Sequence, residues 1–354
     1  MIGCTNDLHM INLTLYYTAL KKLTSAVEVD NQSFLITGAS GLIGSCLVDL
    51  LMTANQKGGL HNHVYALGRS KVKLQNRFKD YVASPFFHIL EQDIRIPLNE
   101  ELHFDYIIHG ASNADPISYA KYPAETMLTN MEGGMNILEY TRKHSGCKTE
   151  MLSTFEVYGM LDKDDYSEQD VGTIDFNQIR SCYPESKRAM EILSRCYVDE
   201  YDANVNIGRL CSIYGPTMAA DDSKAHAQFM RNALEGKDIV LKSKGEQMRT
   251  YCYVMDAVTG ILAVLFHGEK GEAYNISNEK SVVTIAELAQ VIAGIAGRSV
   301  IFDLPTELEK KGFSKPQNCV LVNSKLRALG WSGNYEINQG IDECLSILGF
   351  GKED

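Results

Sequence analysis

Thr37-Gly38-Ala39-Ser40-Gly41-Leu42-Ile43-Gly44 is the stretch that most narrows the folds open to this chain. It follows the apolar run Phe34-Leu35-Ile36 and continues into Ser45 to Leu51, which reads as strand, tight turn and helix. In this spacing Gly38 makes the turn, Gly41 lets the backbone approach a pyrophosphate, and Gly44 lets helix and strand pack closely. The helix amino terminus then carries the phosphate charge. Ser40, Leu42 and Ile43, inside the same turn, are expected cofactor contacts. The same glycines also fit a plain strand-to-helix turn, so a nucleotide cofactor has to be supported by residues further along.

Strand-like runs alternate with helical ones downstream. His63 to Leu67 reads as a second strand ending in Gly68-Arg69-Ser70, His88 to Ile94 as a third, Asp105 to Ser112 as a fourth and Thr149 to Leu152 as a fifth. This alternation predicts an α/β fold with a doubly wound parallel sheet. At the end of the second strand the acidic residue that takes ribose hydroxyls in many NAD sites is missing. Arg69 stands there instead and suits a 2′-phosphate or the adenine face, which leans toward NADP+; it equally fits a solvated loop. In the fourth strand the small residues Ala111 and Ser112 let a cofactor pass close to the backbone.

Charge and composition exclude several classes. A net charge of −11 argues against a nucleic-acid partner, which would call for a basic patch. The nine cysteines are odd in number and scattered, with no Cys-x-x-Cys pair, so reduced thiols are expected and no metal site. No apolar stretch approaches the ~18 residues that span a bilayer, and the first thirty residues lack a basic-then-apolar signal. No membrane partner is expected, and the cytoplasm is the expected compartment.

The chemistry falls on two segments. Ser153-Thr154-Phe155-Glu156-Val157-Tyr158-Gly159 follows the fifth strand, and Arg180-Ser181-Cys182-Tyr183-Pro184-Glu185-Ser186-Lys187 opens a helix that Pro184 suits. Tyr183 and Lys187, four apart, share one face of it. A second Tyr-x-x-x-Lys, Tyr17 to Lys21, precedes the glycine turn without a Ser/Thr strand and reads as coincidence.

Together these segments resemble the extended short-chain dehydrogenase/reductases of the NAD-dependent epimerase/dehydratase family, which modify nucleotide sugars, and among them the UDP-glucuronate decarboxylases. Ser153 to Gly159 is similar to their Ser-Thr-Ser-Glu-Val-Tyr-Gly, and Ala111 to Tyr119 to their Ala-Ser-x-Ala-x-Pro-x-x-Tyr. Thr129-Asn130 with Gly133, Arg209 with Tyr214-Gly215-Pro216, and Gly245 to Arg249 up to Asp256 match further. The resemblance implies a Rossmann sheet with a smaller C-terminal substrate domain. It assigns Asp93 and Ile94 to the adenine side and Ala111, Ser112, Asn130, Tyr183 and Lys187 to the cofactor. Family habit favours NAD+.

By the same resemblance Tyr183 takes a proton from the sugar 4-hydroxyl, Thr154 holds that hydroxyl, and hydride passes from the same carbon to the nicotinamide. A phenol of pKa ~10 needs a nearby cation to act as a base at neutral pH, and Lys187 supplies one. Glu156 relays a proton at carbon 5, and Arg249 orients a carboxylate or phosphate. Phe155 replaces the Asp that many 4,6-dehydratases carry, which weighs against dehydration; a 4-epimerase leaves Glu156 without a task. Tyr119, Ser212, Lys224 and Gln228 are expected substrate contacts. Ser212 replaces a customary Asn, Lys224 an Arg and Gln228 an Asn, which opens the question of base and sugar. His226 reads as helix surface or packing.

The expected division is an added helical extension over 1–30, a dinucleotide-binding domain over 31–215 with 250–277 returning to it, and a sugar-nucleotide domain from 216–249 and 278–354. The expected activity is NAD(P)-dependent nucleotide-sugar modification, decarboxylase first, dehydratase or epimerase next, with a silent dinucleotide-binding scaffold or sensor as the non-enzyme reading. A homodimer is expected from the family.

Overall fold

The computed structural model describes residues 11–304 and 317–351. Residues 1–10 of the amino-terminal extension, and residues 305–316 and 352–354 of the 278–354 stretch, therefore lie outside the described residues. The strands in chain order are β1 (Ser33–Thr37), β2 (His63–Gly68), β3 (Phe87–Glu91), β4 (Tyr106–His109), β5 (Lys148–Thr154), β6 (Asp165–Tyr166) and β7 (Val205–Leu210). They continue with β8 (Ser212–Tyr214), β9 (Ile239–Leu241), β10 (Met248–Tyr253), β11 (Ala273–Ile276), β12 (Val282–Thr284), β13 (Val300–Phe302) and β14 (Val320–Leu321). The helices are α1 (Leu13–Lys21), α2 (Leu42–Gly58), α3 (Lys71–Arg77), α4 (Pro116–Lys121), α5 (Pro123–Lys143) and α6 (Cys182–Tyr201). After them come α7 (Ala225–Leu234), α8 (Val254–His267), α9 (Ile285–Ala296), α10 (Ser324–Ala328) and α11 (Ile337–Ile347).

Seven strands form one sheet in the order β11-β7-β5-β4-β1-β2-β3, and every neighbouring pair in it is parallel. This is the expected doubly wound, Rossmann-like α/β architecture. Its strands are apolar on both faces because helices cover both: Phe34, Leu35 and Ile36 are all fully buried. Phe34 and Ile36 join a core with α2 and α8, while Leu35 joins Ile137, Leu138 and Met190 of α5 and α6 on the other face. The strand order reverses between β1 and β4, so the crevice above the carboxyl ends of β1, β4 and β5 is where a ligand fits.

A smaller, three-stranded sheet, β12-β10-β8, stands beside the main one. β10 pairs in parallel with β8 and antiparallel with β12, and α8 and β11 then return to the main sheet. α9 has both halves of a capping box, Thr284 and Glu287, and ends on Gly297 at φ +62°. His226, on α7, is buried against Tyr251.

The amino-terminal helix is bound into the fold by a buried polar cluster. Tyr16 donates its hydroxyl to Asp49 Oδ2 at 2.7 Å, and Arg77 pairs with the same carboxylate. Helix α1 is thus tied to α2 and α3. Tyr17 accepts from the Tyr81 hydroxyl and Lys21 is exposed, so this Tyr-x-x-x-Lys belongs to the α1 packing. No described helix is long and apolar enough to cross a membrane.

Candidate active site

The glycine turn sits at the crevice. Gly38 has φ +69°, a conformation that suits glycine, and a Cβ on Gly44 would stand 2.5 Å from the Gly38 carbonyl oxygen and 2.9 Å from Ala39 Cα. Backbone cannot yield there, so both positions need glycine. Gly41 is the N-cap of α2 with no side-chain cap, which leaves the first helical N–H groups, those of Leu42 and Ile43 included, to an anion. Ser40 lies in the turn itself. Across from it, Thr37 Oγ1 accepts from the backbone N–H groups of Gly110 and Ala111 at 3.1 and 3.2 Å, which fixes the loop after β4. Ser112 Oγ and Asn130 Oδ1 are buried without a partner. Glycines that admit close approach, an uncapped helix start and two orphaned oxygens fit a dinucleotide.

The residues expected on the adenine side already have partners within the fold. Asp93 accepts two-pronged hydrogen bonds from Arg95, 2.6 Å at the closest, and these hold its carboxyl down at about 2. Ile94 is buried against Gly133 of α5, where an added Cβ would come within 2.8 Å. Arg69 is exposed and pairs with Glu125 of α5 at 2.9 Å.

β5 delivers Thr154 at its carboxyl end, and a one-turn 3₁₀ helix, Phe155–Tyr158, follows. Thr154 Oγ1 caps that turn by accepting from Glu156 N at 3.3 Å. Tyr183 and Lys187 lie in the first turns of α6, both buried. Lys187 Nζ donates to the Leu152 carbonyl at 2.8 Å, which anchors the ammonium to β5. Ser186 receives a hydrogen bond from Asn130 Nδ2 at 2.8 Å, so α5 and α6 are joined beside Tyr183 and Lys187.

Burial governs the charges. It pushes the Tyr183 phenol well above its ordinary value, the nearby Glu156 charge pushes it further, and the Thr154 hydroxyl opposes both. The Lys187 ammonium is lowered by burial to about 8, against a pull from Glu191. Burial raises the Glu156 carboxyl, while Arg180, Arg249 and Lys224 draw it back down. Three cations from separate elements therefore act on one carboxylate, whose charge in turn is felt by the phenol.

Other expected substrate residues are placed as follows. Tyr119 is buried and stacked on Tyr183. Arg249 lies on β10, paired in register with Val283 and bridged to Cys319. Ser212, on β8, is opposite Tyr251 of β10. Lys224 is the residue before α7 and its Nζ pairs with Asp222 at 3.2 Å. Gln228 is exposed and its Nε2 donates to the Ser223 carbonyl, so it turns to the start of its own helix.

Three contacts carried no expectation. Arg180 Nη2 lies 3.3 Å from Glu156 Oε2. Asp115 caps α4 at Ser118 N and also accepts from Ser223 N and Oγ at 3.0 and 2.6 Å, which latches the loop after β4 to the approach to α7. Glu191 accepts a fork from Arg209 and a hydroxyl from Ser153 at 2.6 Å, forming a buried brace under the β5 end. For Arg180 the signal was its place three residues ahead of Tyr183.

The model of the NAD dependent epimerase/dehydratase family matches residues 34–277, from β1 to the residue after β11. The chain belongs to the NAD-dependent epimerase/dehydratase family. Within this epimerase/dehydratase group it is similar to UDP-glucuronic acid decarboxylase 6 of Arabidopsis thaliana, 31% identical over 311 residues that cover 88% of this chain and 87% of that protein. Its fold resembles that of dTDP-glucose 4,6-dehydratase from Bacillus anthracis in complex with NAD, with a TM-score of 0.73 and 22% identity over 89% of this chain and 96% of the other. It also resembles UDP-glucuronic acid 4-epimerase from Bacillus cereus in complex with UDP-glucuronic acid and NAD, with a TM-score of 0.73 and 22% identity over 89% and 98%.

Proposed function

We propose that this epimerase/dehydratase-family protein decarboxylates UDP-glucuronate to UDP-xylose through a 4-keto sugar, with NAD+ as its dinucleotide. The observation that carries this reading is Glu156: a half-buried carboxylate two residues beyond Thr154, acted on by Arg180, Arg249 and Lys224. The likeness to UDP-glucuronic acid decarboxylases supports it. A plain 4-epimerase has no use for that carboxylate. Phe155, packed against the core where dehydratases often carry an Asp, disfavours loss of the 6-hydroxyl.

A bound nicotinamide supplies a reversible two-electron acceptor for sugar carbon 4. The chain's own residues do the rest. Tyr183, with Thr154 beside the same hydroxyl, takes the 4-OH proton, and the Lys187 ammonium stabilises the phenolate. Once carbon 4 is a ketone, the carbon 6 carboxylate is that of a β-keto acid. Its C5–C6 bond breaks, carbon dioxide leaves, and the bonding pair collapses onto the carbonyl. Glu156 delivers a proton to carbon 5, and Tyr183 gives its proton back to oxygen 4 as the ketone is reduced. Arg249 orients the carboxylate or a phosphate, Lys224 the diphosphate, and Tyr119, Ser212 and Gln228 line the approach. Residues 216–249 and 278–354 hold the sugar nucleotide against the domain of 31–215 and 250–277.

NAD+ is supported by the pairing of Arg69 with Glu125, which already neutralises the cation a 2′-phosphate would need. NADP+ is the second reading, favoured by the position of Arg69 at the end of β2. A homodimer through α5 and α6 is supported by the exposed Leu128, Met135 and Ile192 on those helices. A cytoplasmic setting is supported by the eight free cysteines among the described residues. Incubation with UDP-glucuronate and with UDP- and dTDP-hexoses, followed by NMR and mass spectrometry, tests the activity. UDP-xylose is expected; a stable 4-keto-6-deoxy sugar or a 4-epimer would replace this reading by its neighbour, and turnover of none favours the scaffold.

A further inference from the structure

Arg180 lies in the 3₁₀ turn Ile179–Ser181 that leads into α6. Its Nη2 is 3.3 Å from Glu156 Oε2 and donates to the Tyr119 hydroxyl at 3.2 Å, and its guanidinium carbon is 5.8 Å from the Tyr119 ring centroid. The Arg180 side chain is 65% exposed whereas that of Glu156 is 19% exposed. So exposed an ion pair contributes little to folding, and its effect falls on the less exposed partner instead.

The groups facing Glu156 come from every element around it. Its cations are Arg180 ahead of α6, Arg249 on β10 and Lys224 ahead of α7, with Arg180 the strongest. Tyr183 and Cys182 on α6, Tyr119 on α4 and Cys319 next to β14 feel its negative charge in turn. Among the described residues Arg180 is the cation within ion-pair distance.

We propose that Arg180 is the positioning residue of Glu156: it aims the carboxyl, ties it through Tyr119 to the Tyr183 ring, and so fixes the pH at which Glu156 exchanges its proton. The carbon 5 step in which that proton is used rests on the decarboxylase reading; the coupling of Arg180 to Glu156 does not. Without the guanidinium, burial acts on Glu156 with less opposition and the carboxyl keeps its proton to higher pH. The limb that Glu156 controls in a pH profile therefore moves up, whether the residue acts as acid or as base.

The test uses Arg180→Gln and Arg180→Lys in the full chain, with Glu156→Gln as the blank. Infrared difference titration against Glu156→Gln reads the Glu156 carboxyl without turnover, and the pH profile of kcat with UDP-glucuronate reads it in action. In Arg180→Gln both midpoints are expected to rise by about 1 pH unit, the low end for an opposite charge at this range. Arg180→Lys is expected to restore most of the shift, since a cation remains. An unmoved infrared midpoint in Arg180→Gln overturns the inference, even where turnover has fallen. A moved midpoint in a protein that never acts on UDP-glucuronate supports the coupling and overturns the decarboxylase reading.

Discussion

The rings of Tyr119 and Tyr183 stack with centroids 5.3 Å apart and planes 11° apart. The Tyr183 phenol, the proposed base, thus rests on a residue of α4, a short helix held in place by the Asp115 cap and its Ser223 latch. A stacked pair of this kind contributes about 0.5–1.5 kcal/mol beyond burial. Tyr119→Leu should lower kcat about 2- to 10-fold as Tyr183 loses its wall, whereas Tyr119→Phe, which keeps the ring, should stay within about twofold. Steady-state rates at saturating substrate read both, and an unchanged kcat in Tyr119→Leu would show that the stack does not aim Tyr183.

Tyr183→Phe removes the proton acceptor and leaves the ring. Turnover should fall by about 10²–10⁴, the usual loss when a general base is deleted, while calorimetric affinity for UDP-glucuronate changes little. Retained turnover would remove Tyr183 from the chemistry.

Lys187 gives the pH dependence its sign. Its ammonium loses a proton at about 8 rather than at the ordinary 10.5, so it is charged below pH 8 and neutral above. A reaction that needs the cation must therefore lose rate as pH rises through about 8. The alkaline limb of kcat/KM is expected there and should be absent from the residual activity of Lys187→Met. A rate still climbing at pH 9 would contradict the role.

What was legible in the sequence was local. The glycine turn, and Tyr183 with Lys187, each lie within a few residues of one another, so spacing alone reports them. The pairings that tune the site join distant segments. Arg180 meets Glu156, Asp115 meets Ser223 across 108 residues, and Glu191 meets Arg209 only once the chain has closed on itself. Strand periodicity has the same limit. It marks β5 as a strand without saying that its partners are β4 and β7. Likewise the helical spacing of the amino-terminal segment says nothing of the Tyr16–Asp49–Arg77 cluster that anchors α1.

The proposed preference for NAD+ rests on the Arg69–Glu125 pair. NAD+ should bind more tightly than NADP+, and Arg69→Ala should shift both affinities alike, as fluorescence titration can read. A selective loss of NADP+ affinity in the variant would return the guanidinium to a 2′-phosphate.

The most direct measurement is to supply UDP-[6-¹³C]glucuronate in D₂O and follow the products by NMR. One equivalent of ¹³CO₂ for each UDP-xylose, with a single deuterium at carbon 5, is the expected result. Conversion to UDP-galacturonate with the ¹³C label retained, or to a 4-keto sugar without carbon dioxide, would contradict it.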